Sequence, residues 1–295
     1  MNNCMVKEYI MKKYLQLLRV KNYIKNALII LPFVFSGNFL TLTDNYIRTL
    51  IGIILFCLSS SLIYIFNDLI DRKKDQLHPK KCNRPLASGI IPIKVAYIFM
   101  AILLILIAGG LAWFNNLQAT IWICVYIFLN VLYSLYLKNI PIIDIALLSS
   151  FFIIRIYFGA SLINVTVSSY LHLMIMSVAF LMGANKRNKD KKLSADSRGN
   201  LALYSSEFLT KISQVFLGLS IVFYSLWVLS DTNTLINKTF LLISIMIVVL
   251  ILLFYQYLVD SNDDGNPVDV FLSNPLIIVL SLIYCIIIII GFLLH

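Results

Sequence analysis

Charge is what this chain is short of. Only 13% of its 295 residues are Asp, Glu, Lys or Arg, against 60% hydrophobic residues, and the mean hydropathy is +0.88. A soluble globular domain of this length does not carry so little charge, so a water-soluble enzyme or binding module is excluded and a polytopic integral membrane protein is indicated. Cysteine is sparse as well. Cys4, Cys57, Cys82, Cys124 and Cys285 stand far apart with no CxxC or Cys/His spacing, which excludes a disulfide framework and a thiolate metal site. They read as apolar fillers or free thiols. The first 25 residues are charged and lack a small-residue cleavage site, so no cleavable signal peptide is expected.

What the chain does have is a series of apolar runs of about 20 residues, the length that crosses a bilayer. They fall near 23–40, 47–67, 93–113, 117–137, 141–163, 167–185, 210–230, 237–259 and 275–294. The expected fold class is therefore an all-α polytopic membrane protein, a bundle of nine transmembrane helices forming one domain over residues 1–295. Pro141 opens the fifth run, where its missing N–H costs least. The odd number of passes puts the two termini on opposite sides.

Basic residues set the orientation. Of the 24 Lys and Arg, 21 fall before or around the first run, in or beside the loops after the second and sixth, or at Lys138 after the fourth. The opposite loops hold only Arg48 and Lys238, and Arg155 lies inside a run. By the positive-inside rule the N-terminus and the two long loops, about 68–92 and 186–209, are cytoplasmic, and an active site is expected on that side. The net charge of +10 is thus a facial asymmetry, and nucleic acid is not an expected partner. The last cytoplasmic loop, 260–269, is acidic but lacks calcium-loop spacing and a terminal Glu; it reads as a solvated, turn-rich connector.

Chemistry concentrates where the second run ends. Asn67-Asp68-Leu69-Ile70-Asp71-Arg72-Lys73-Lys74-Asp75 spaces three acids at i, i+3 and i+7, so on a helix Asp68, Asp71 and Asp75 share one face. Three like charges on one face repel unless a cation lies between them. Oxygen-only ligands at a membrane boundary suit Mg²⁺, which takes one or two carboxylates, waters and substrate phosphates. The plainer alternative is a solvated helix end whose acids pair with Arg72, Lys73 and Lys74. The loop continues through His78, Lys80 and Lys81 to Arg84-Pro85-Leu86-Ala87-Ser88-Gly89. Acids holding metal beside cations holding phosphate oxygens is the combination a metal–diphosphate site needs. His78, alone beside a proline, reads as a loop residue rather than a general base.

The second long loop begins Asn185-Lys186-Arg187-Asn188-Lys189-Asp190-Lys191-Lys192 and continues to Asp196, Arg198 and Tyr204. It is either a phosphate-binding lobe, with Lys186 and Arg187 nearest the helix end, or a polybasic strip for anionic lipid. Asp144 and Arg155, eleven residues apart and about three turns along one face, are costly at membrane depth and mark a paired or functional site. Lys138 belongs to the same neighbourhood. Tyr133 is a candidate substrate contact, and Tyr136 reads as an interfacial belt residue.

Taken together, these stretches resemble the UbiA superfamily of intramembrane prenyltransferases. The resemblance rests first on the Asn67-Asp68-x-x-Asp71-x-x-x-Asp75 signature. Val20-Lys21-Asn22-Tyr23-Ile24-Lys25-Asn26, Asn83 through Gly89, Tyr133-Ser134 through Lys138, Pro141, Asp144, Arg155 with Gly159-Ala160, Gly183 with Lys186-Arg187, and Gly265 through Val268 narrow it. They look like the decaprenyl-phosphate phosphoribosyltransferase branch. That resemblance implies transfer of 5-phosphoribose from 5-phosphoribosyl 1-diphosphate to a polyprenyl phosphate, releasing diphosphate and making a precursor of a lipid-linked ribose or arabinose donor. It implies a bacterial cytoplasmic membrane enzyme with Mg²⁺ as cofactor, and a homo-oligomer is left open. It implies catalytic and metal-holding roles for Asn67, Asp68, Asp71 and Asp75. Substrate contacts are implied for Lys21, Lys25, Arg84, Tyr133, Lys138, Asp144, Arg155, Lys186, Arg187 and Tyr204. Aromatic-prenylating members carry a second acidic motif in the loop after the sixth helix. Here Asp190 and Asp196 are six apart among Lys and Arg, which favours a phosphoribosyl donor. The alternative is a UbiA-type enzyme moving a prenyl group from prenyl diphosphate to an aromatic acceptor; a lipid-phosphate transporter or a non-catalytic scaffold is the reading from outside enzymology.

Overall fold

A computed structural model describes residues 3–37, 44–77, 81–193, 203–230, 235–261, 270 and 274–294. Every described element is helical. Besides the short 3-10 turns Lys81–Asn83 and Leu137–Asn139, they are in chain order α1 (Asn3–Leu17), a 3-10 stretch (Val20–Ile30), α2 (Leu31–Phe35), α3 (Asn45–Ile70), α4 (Arg72–Gln76) and α5 (Ile93–Phe114). There follow α6 (Leu117–Leu135), α7 (Ile143–Leu162), α8 (Ser169–Leu193), α9 (Ser206–Leu229), α10 (Lys238–Ser261) and α11 (Pro275–Leu293). Among the described residues seven helices are long and apolar enough to cross a membrane: α3, α5, α6, α7, α9, α10 and α11.

Seven of the nine expected runs correspond to these helices; the first and the sixth are not among them. The sixth run is α8, 25 residues long, but its last third is charged and it continues to Leu193 rather than ending at 185. The first run is not one long α-helix: Val20–Ile30 is an 11-residue 3-10 stretch, and the five residues of α2 follow. Runs that long are uncommon because 3-10 hydrogen bonds are poorly aligned, so neighbouring side chains must compensate. Tyr23 and Asn26 do so, bonding Ser61 Oγ at 2.7 Å and Cys57 Sγ at 3.2 Å on α3.

The chain divides into two compact units, Met1–Leu137 with Ile154–Thr166, and Lys138–Ile153 with Val167–His295, so that α7 gives half its length to each. In the first unit α3 packs against α5, α6 and the 3-10 stretch. Phe56 and Ile65 are fully buried, and the Phe56 ring lies 4.5 Å from that of Tyr126 and 5.3 Å from that of Phe158. Ser59, Ser60 and Ser61 are buried mid-helix, and each hydroxyl finds a partner, as burial in an apolar medium requires. Ser59 donates to the Leu55 carbonyl at 2.9 Å and Ser61 to that of Leu18 at 2.8 Å. Gly159 allows the closest approach to backbone: a Cβ there would stand 2.3 Å from the Ile29 carbonyl oxygen. In the second unit α9 packs along α8, with Phe180 and Phe216 stacked at 4.6 Å, and α10 packs against α9 and α11.

Candidate active site

The acids of the first unit sit where α3 hands over to α4. Asp71 caps α3 at φ −83°, ψ 0°; its N–H bonds the Asn67 carbonyl at 2.9 Å, and the Asp75 N–H bonds the Asp71 carbonyl at 2.8 Å. The path therefore stays nearly helical, and the expected one-face arrangement holds for Asp68 and Asp75, which are buried, while Asp71 is half-buried. Both buried carboxylates face one guanidinium nitrogen. Arg84 Nη1 stands 3.1 Å from Asp68 Oδ1 and 2.6 Å from Asp75 Oδ2. Arg19 Nη2 bonds Asp68 Oδ1 as well, and its guanidinium lies over the Tyr64 ring at 4.7 Å.

Arg84 is aimed by its own loop. Arg72 Nε donates to the Leu86 carbonyl at 3.0 Å and Gln76 Nε2 to that of Ala87 at 3.2 Å, stapling the segment after Arg84 onto α4. Gly89, at φ +76°, makes the left-handed turn that ends this loop. Arg72 thus holds the loop that presents Arg84, rather than pairing with a neighbouring acid. Asn67 Oδ1 is in hydrogen-bond contact with Ser134 Oγ of α6. Arg19 is legible in the sequence only as an orienting charge; nothing in its spacing announces that the chain folds back, through a left-handed φ of 51° at Arg19 itself, onto Asp68.

Two buried carboxylates and two arginines make a charge-compensated group. The donor set of Asn67, Asp68 and Asp75 is oxygen-only, and the two carboxylates converge on a position where a cationic centre is already stabilised, so the residues fit a hard divalent cation. Among the described residues, however, no three His, Cys, Asp or Glu side chains are grouped to hold a metal ion. A divalent ion here would therefore complete its shell with water or substrate phosphate oxygens.

Arg155 is buried in the first unit, and its role is visible. Its Nε donates to Asn26 Oδ1 at 2.8 Å, and its guanidinium stands over the rings of Phe56 (5.0 Å) and Tyr126 (5.3 Å). A carboxamide and two π faces stabilise the cation at membrane depth, and the bond to Asn26 anchors the 3-10 stretch to α7. Lys21 is exposed, and Lys25 and Tyr133 are half-buried. Tyr136 is 67% exposed, as a belt residue would be.

The second unit holds a separate cluster. Asp144, in the first turn of α7, is fully buried; its Oδ2 accepts from Arg187 Nε at 2.6 Å and its Oδ1 from the Tyr204 hydroxyl and the Ile145 N–H. The Tyr204 hydroxyl also accepts the N–H of Ile142, whose φ of 68° is a strained value for a β-branched residue. Lys191 bonds the Tyr204 carbonyl, and Arg187 Nη1 reaches Asp190 Oδ2 at 3.1 Å. Burial first, and then donation to Asp144, push the Tyr204 phenol well above its ordinary pKa of 10.0. The resemblance implies substrate contacts for Asp144, Arg155 and Tyr204. All three are buried, and each is engaged by protein groups: Asp144 by Arg187 and Tyr204, Arg155 by Asn26. Asp190 is paired with Arg187, and Lys138 and Lys186 are half-buried. His78, Lys80, Asp196, Arg198 and the segment 262–269 lie outside the described residues.

Against this geometry the comparisons with known proteins are specific. Residues 30–283 match the UbiA prenyltransferase family. The decaprenyl-phosphate phosphoribosyltransferase of Corynebacterium glutamicum is 30% identical over 281 residues, 92% of this chain and 84% of that one. That of Mycolicibacterium smegmatis is 28% identical over 278 residues, covering 90% of this chain and 87% of that one. Among solved structures, a UbiA homolog from Archaeoglobus fulgidus bound to DMAPP and Mg²⁺ superimposes with a TM-score of 0.69 at 18% identity, over 95% of this chain and 98% of that one.

Proposed function

The chain belongs to the UbiA prenyltransferase family, and we propose that within it this enzyme is a phosphoribosyltransferase: it moves 5-phosphoribose from 5-phosphoribosyl 1-diphosphate to a polyprenyl phosphate. In that reaction a phosphate oxygen of the lipid attacks C1 of the sugar, the bond from C1 to the diphosphate oxygen breaks, and diphosphate leaves. No general base is required, because the attacking phosphate oxygen is already anionic at neutral pH. The observation that carries the reading is the similarity, over nine-tenths of the chain, to two relatives named for this activity. The basic character of the α8 end supports it, since Asp190 there is paired with Arg187 and a phosphorylated sugar brings one more anion than a prenyl donor.

Asp68 and Asp75, with Asn67 and Asp71 in support, would hold Mg²⁺, which when bound neutralises charge on the leaving diphosphate. Arg84 then serves phosphate oxygens with the fork that guanidinium offers. Lys186 and Arg187 would bind the donor's phosphates, with Arg187 held in place by Asp144. Lys138 or Arg155 would serve the lipid phosphate, and Lys21, Lys25 and Tyr133 are further substrate contacts in this reading. The membrane arrangement proposed is nine passes, counting the 3-10 stretch with α2 as the first and α8 as the sixth, in a bacterial cytoplasmic membrane with the N-terminus and the site on the cytoplasmic side. The lopsided placement of Lys and Arg supports that orientation.

The test is direct. Purified protein in detergent with Mg²⁺, radiolabelled 5-phosphoribosyl diphosphate and a polyprenyl phosphate should move label into the organic phase, and EDTA or Asp68→Asn should abolish that. A protein that leaves the label in water across several lipid lengths, while consuming a prenyl diphosphate, would belong to the aromatic-prenylating branch instead.

A further inference from the structure

The first unit carries a polar concavity at the end of α3 away from the acid–arginine cluster. A cavity of about 610 Å³ is lined by Arg48, Trp113, Asn115, Asn116, Gln118 and Asn164, with Phe114 and Leu117 on its wall. Arg48 stands 20 residues before Asp68 on the same helix, which at 1.5 Å per residue is about 30 Å, the thickness of a bilayer core. The cavity therefore opens on the face of the membrane opposite the acid–arginine cluster and is separate from it.

Three features argue for a ligand. Arg48 is the only Lys or Arg between Lys25 and Arg72, and none occurs between Lys94 and Lys138. The cavity thus has a cation on the side where this chain otherwise places only Lys238, so orientation does not account for it. No described acid lines the cavity to neutralise Arg48. Finally, the wall combines an indole with carboxamides. Trp113 is 59% exposed, and its ring stands edge-on to the buried Phe114 at 5.2 Å. Asn116 is committed to structure, capping α6 through the Ala119 N–H and donating to the Ser161 carbonyl at 2.7 Å, which fixes the rim. Asn115 and Asn164, both in the left-handed region (φ 46° and 55°), and Gln118 complete the lining.

We propose that this cavity binds a phosphate ester bearing hydroxyl groups, the chemistry of a glycerophospholipid head group or of a free glycerol phosphate. Arg48 takes the phosphate, the carboxamides take the hydroxyls, and Trp113 covers the apolar face of the polyol. The site stands independently of the phosphoribosyl reading, because it lies across the membrane from the residues that reading uses.

The test is a titration of the full chain in non-ionic detergent, followed by tryptophan fluorescence, with three probes: dihexanoylphosphatidylglycerol, dihexanoylphosphatidylcholine and sn-glycerol 1-phosphate. Phosphatidylglycerol should bind saturably, with a signal that vanishes in Trp113→Phe. Arg48→Gln should weaken it by about tenfold or more, the loss expected for one charge-assisted hydrogen bond. Asn164→Asp, which keeps a residue tolerant of left-handed φ while adding a negative charge, should weaken it further. Equal binding of glycerol phosphate would make the ligand a soluble ester; its failure alongside lipid binding would make it a head group. Phosphatidylcholine matching phosphatidylglycerol, an unchanged affinity in a folded Arg48→Gln protein, or no binding of any probe would overturn the proposal.

Discussion

Removing the Asp144 carboxylate is the perturbation whose size the structure sets most directly. Arg187 is 4% exposed and Asp144 fully buried, so Asp144→Ala leaves a guanidinium desolvated with its main partner gone. Breaking a buried pair from one side costs about 3–5 kcal/mol. The remaining contact, Arg187 to Asp190 at 3.1 Å, offsets little of this, since Asp190 is 37% exposed and surface pairs of that kind contribute about 0.2–1 kcal/mol. Asp144→Ala also strips Tyr204 of the acceptor for its hydroxyl. Taking about 3 kcal/mol as the lower bound, and about 2–4 °C per kcal/mol for a chain of this size, the unfolding midpoint should fall by about 6–12 °C. The assay is thermal unfolding in detergent at a fixed scan rate, followed by size-exclusion chromatography. The double variant Asp144→Ala, Arg187→Met should recover much of the loss, because removing both partners leaves no buried charge. A shift under about 2 °C in the single variant, or strictly additive losses in the double, would show that Arg187 is hydrated and that the burial argument is wrong.

Asp68→Asn and Asp75→Asn should each reduce transfer by a hundredfold or more while the protein remains inserted, measured by label transfer beside a chromatographic fold check; collapse of the protein instead would assign these acids to folding. Lys186→Ala should raise the apparent KM for the phosphorylated sugar several-fold with little change for the lipid, and equal effects on both would refute the assignment to the donor. Tyr204 makes a signed prediction in pH. Its folded pKa lies above its ordinary value of 10.0, so its contribution to stability is complete below pH 10 and is lost as the pH rises from there through the folded value. Thermal midpoints should be flat up to pH 10 and fall above it, and Tyr204→Phe should flatten that alkaline fall. Gly159→Ala should destabilise by about 1–3 kcal/mol or more, since its Cβ would stand 2.3 Å from backbone rather than from a movable side chain; a neutral outcome would mean that the 3-10 stretch can move away.

Legibility tracks the physics of each feature. Seven spans can be read from hydropathy because solvation by lipid acts on each segment separately, and α3, α5 and α11 begin within two residues of the expected starts. Where the helix is not the unit of solvation, hydropathy is a poor guide. Nothing apolar marks Lys186–Leu193, yet α8 runs through it, because helical hydrogen bonding propagates past the membrane boundary and Arg187 to Asp190 makes an i, i+3 pair. The first run is as hydrophobic as a helix, but Asn26 and Tyr23 are held by α3 in a tighter winding. Asp144 and Arg155 share a helix and look in the sequence like one neighbourhood, whereas their partners, Arg187 and Asn26, come from distant points of the chain.

By itself the sequence determined the membrane class, the approximate spans, the asymmetry of charge and the acid-bearing segment from Asn67 to Asp75, because each of these depends on local composition or on spacing along one helix. Only the tertiary structure decided what the charges do. Arg19 and Arg84 meet Asp68 from 49 and 16 residues away, and Tyr204 meets Asp144 from 60. A buried charge must find its counterpart wherever the chain folds back to supply one, and the length of the intervening loop carries no record of which partner that will be.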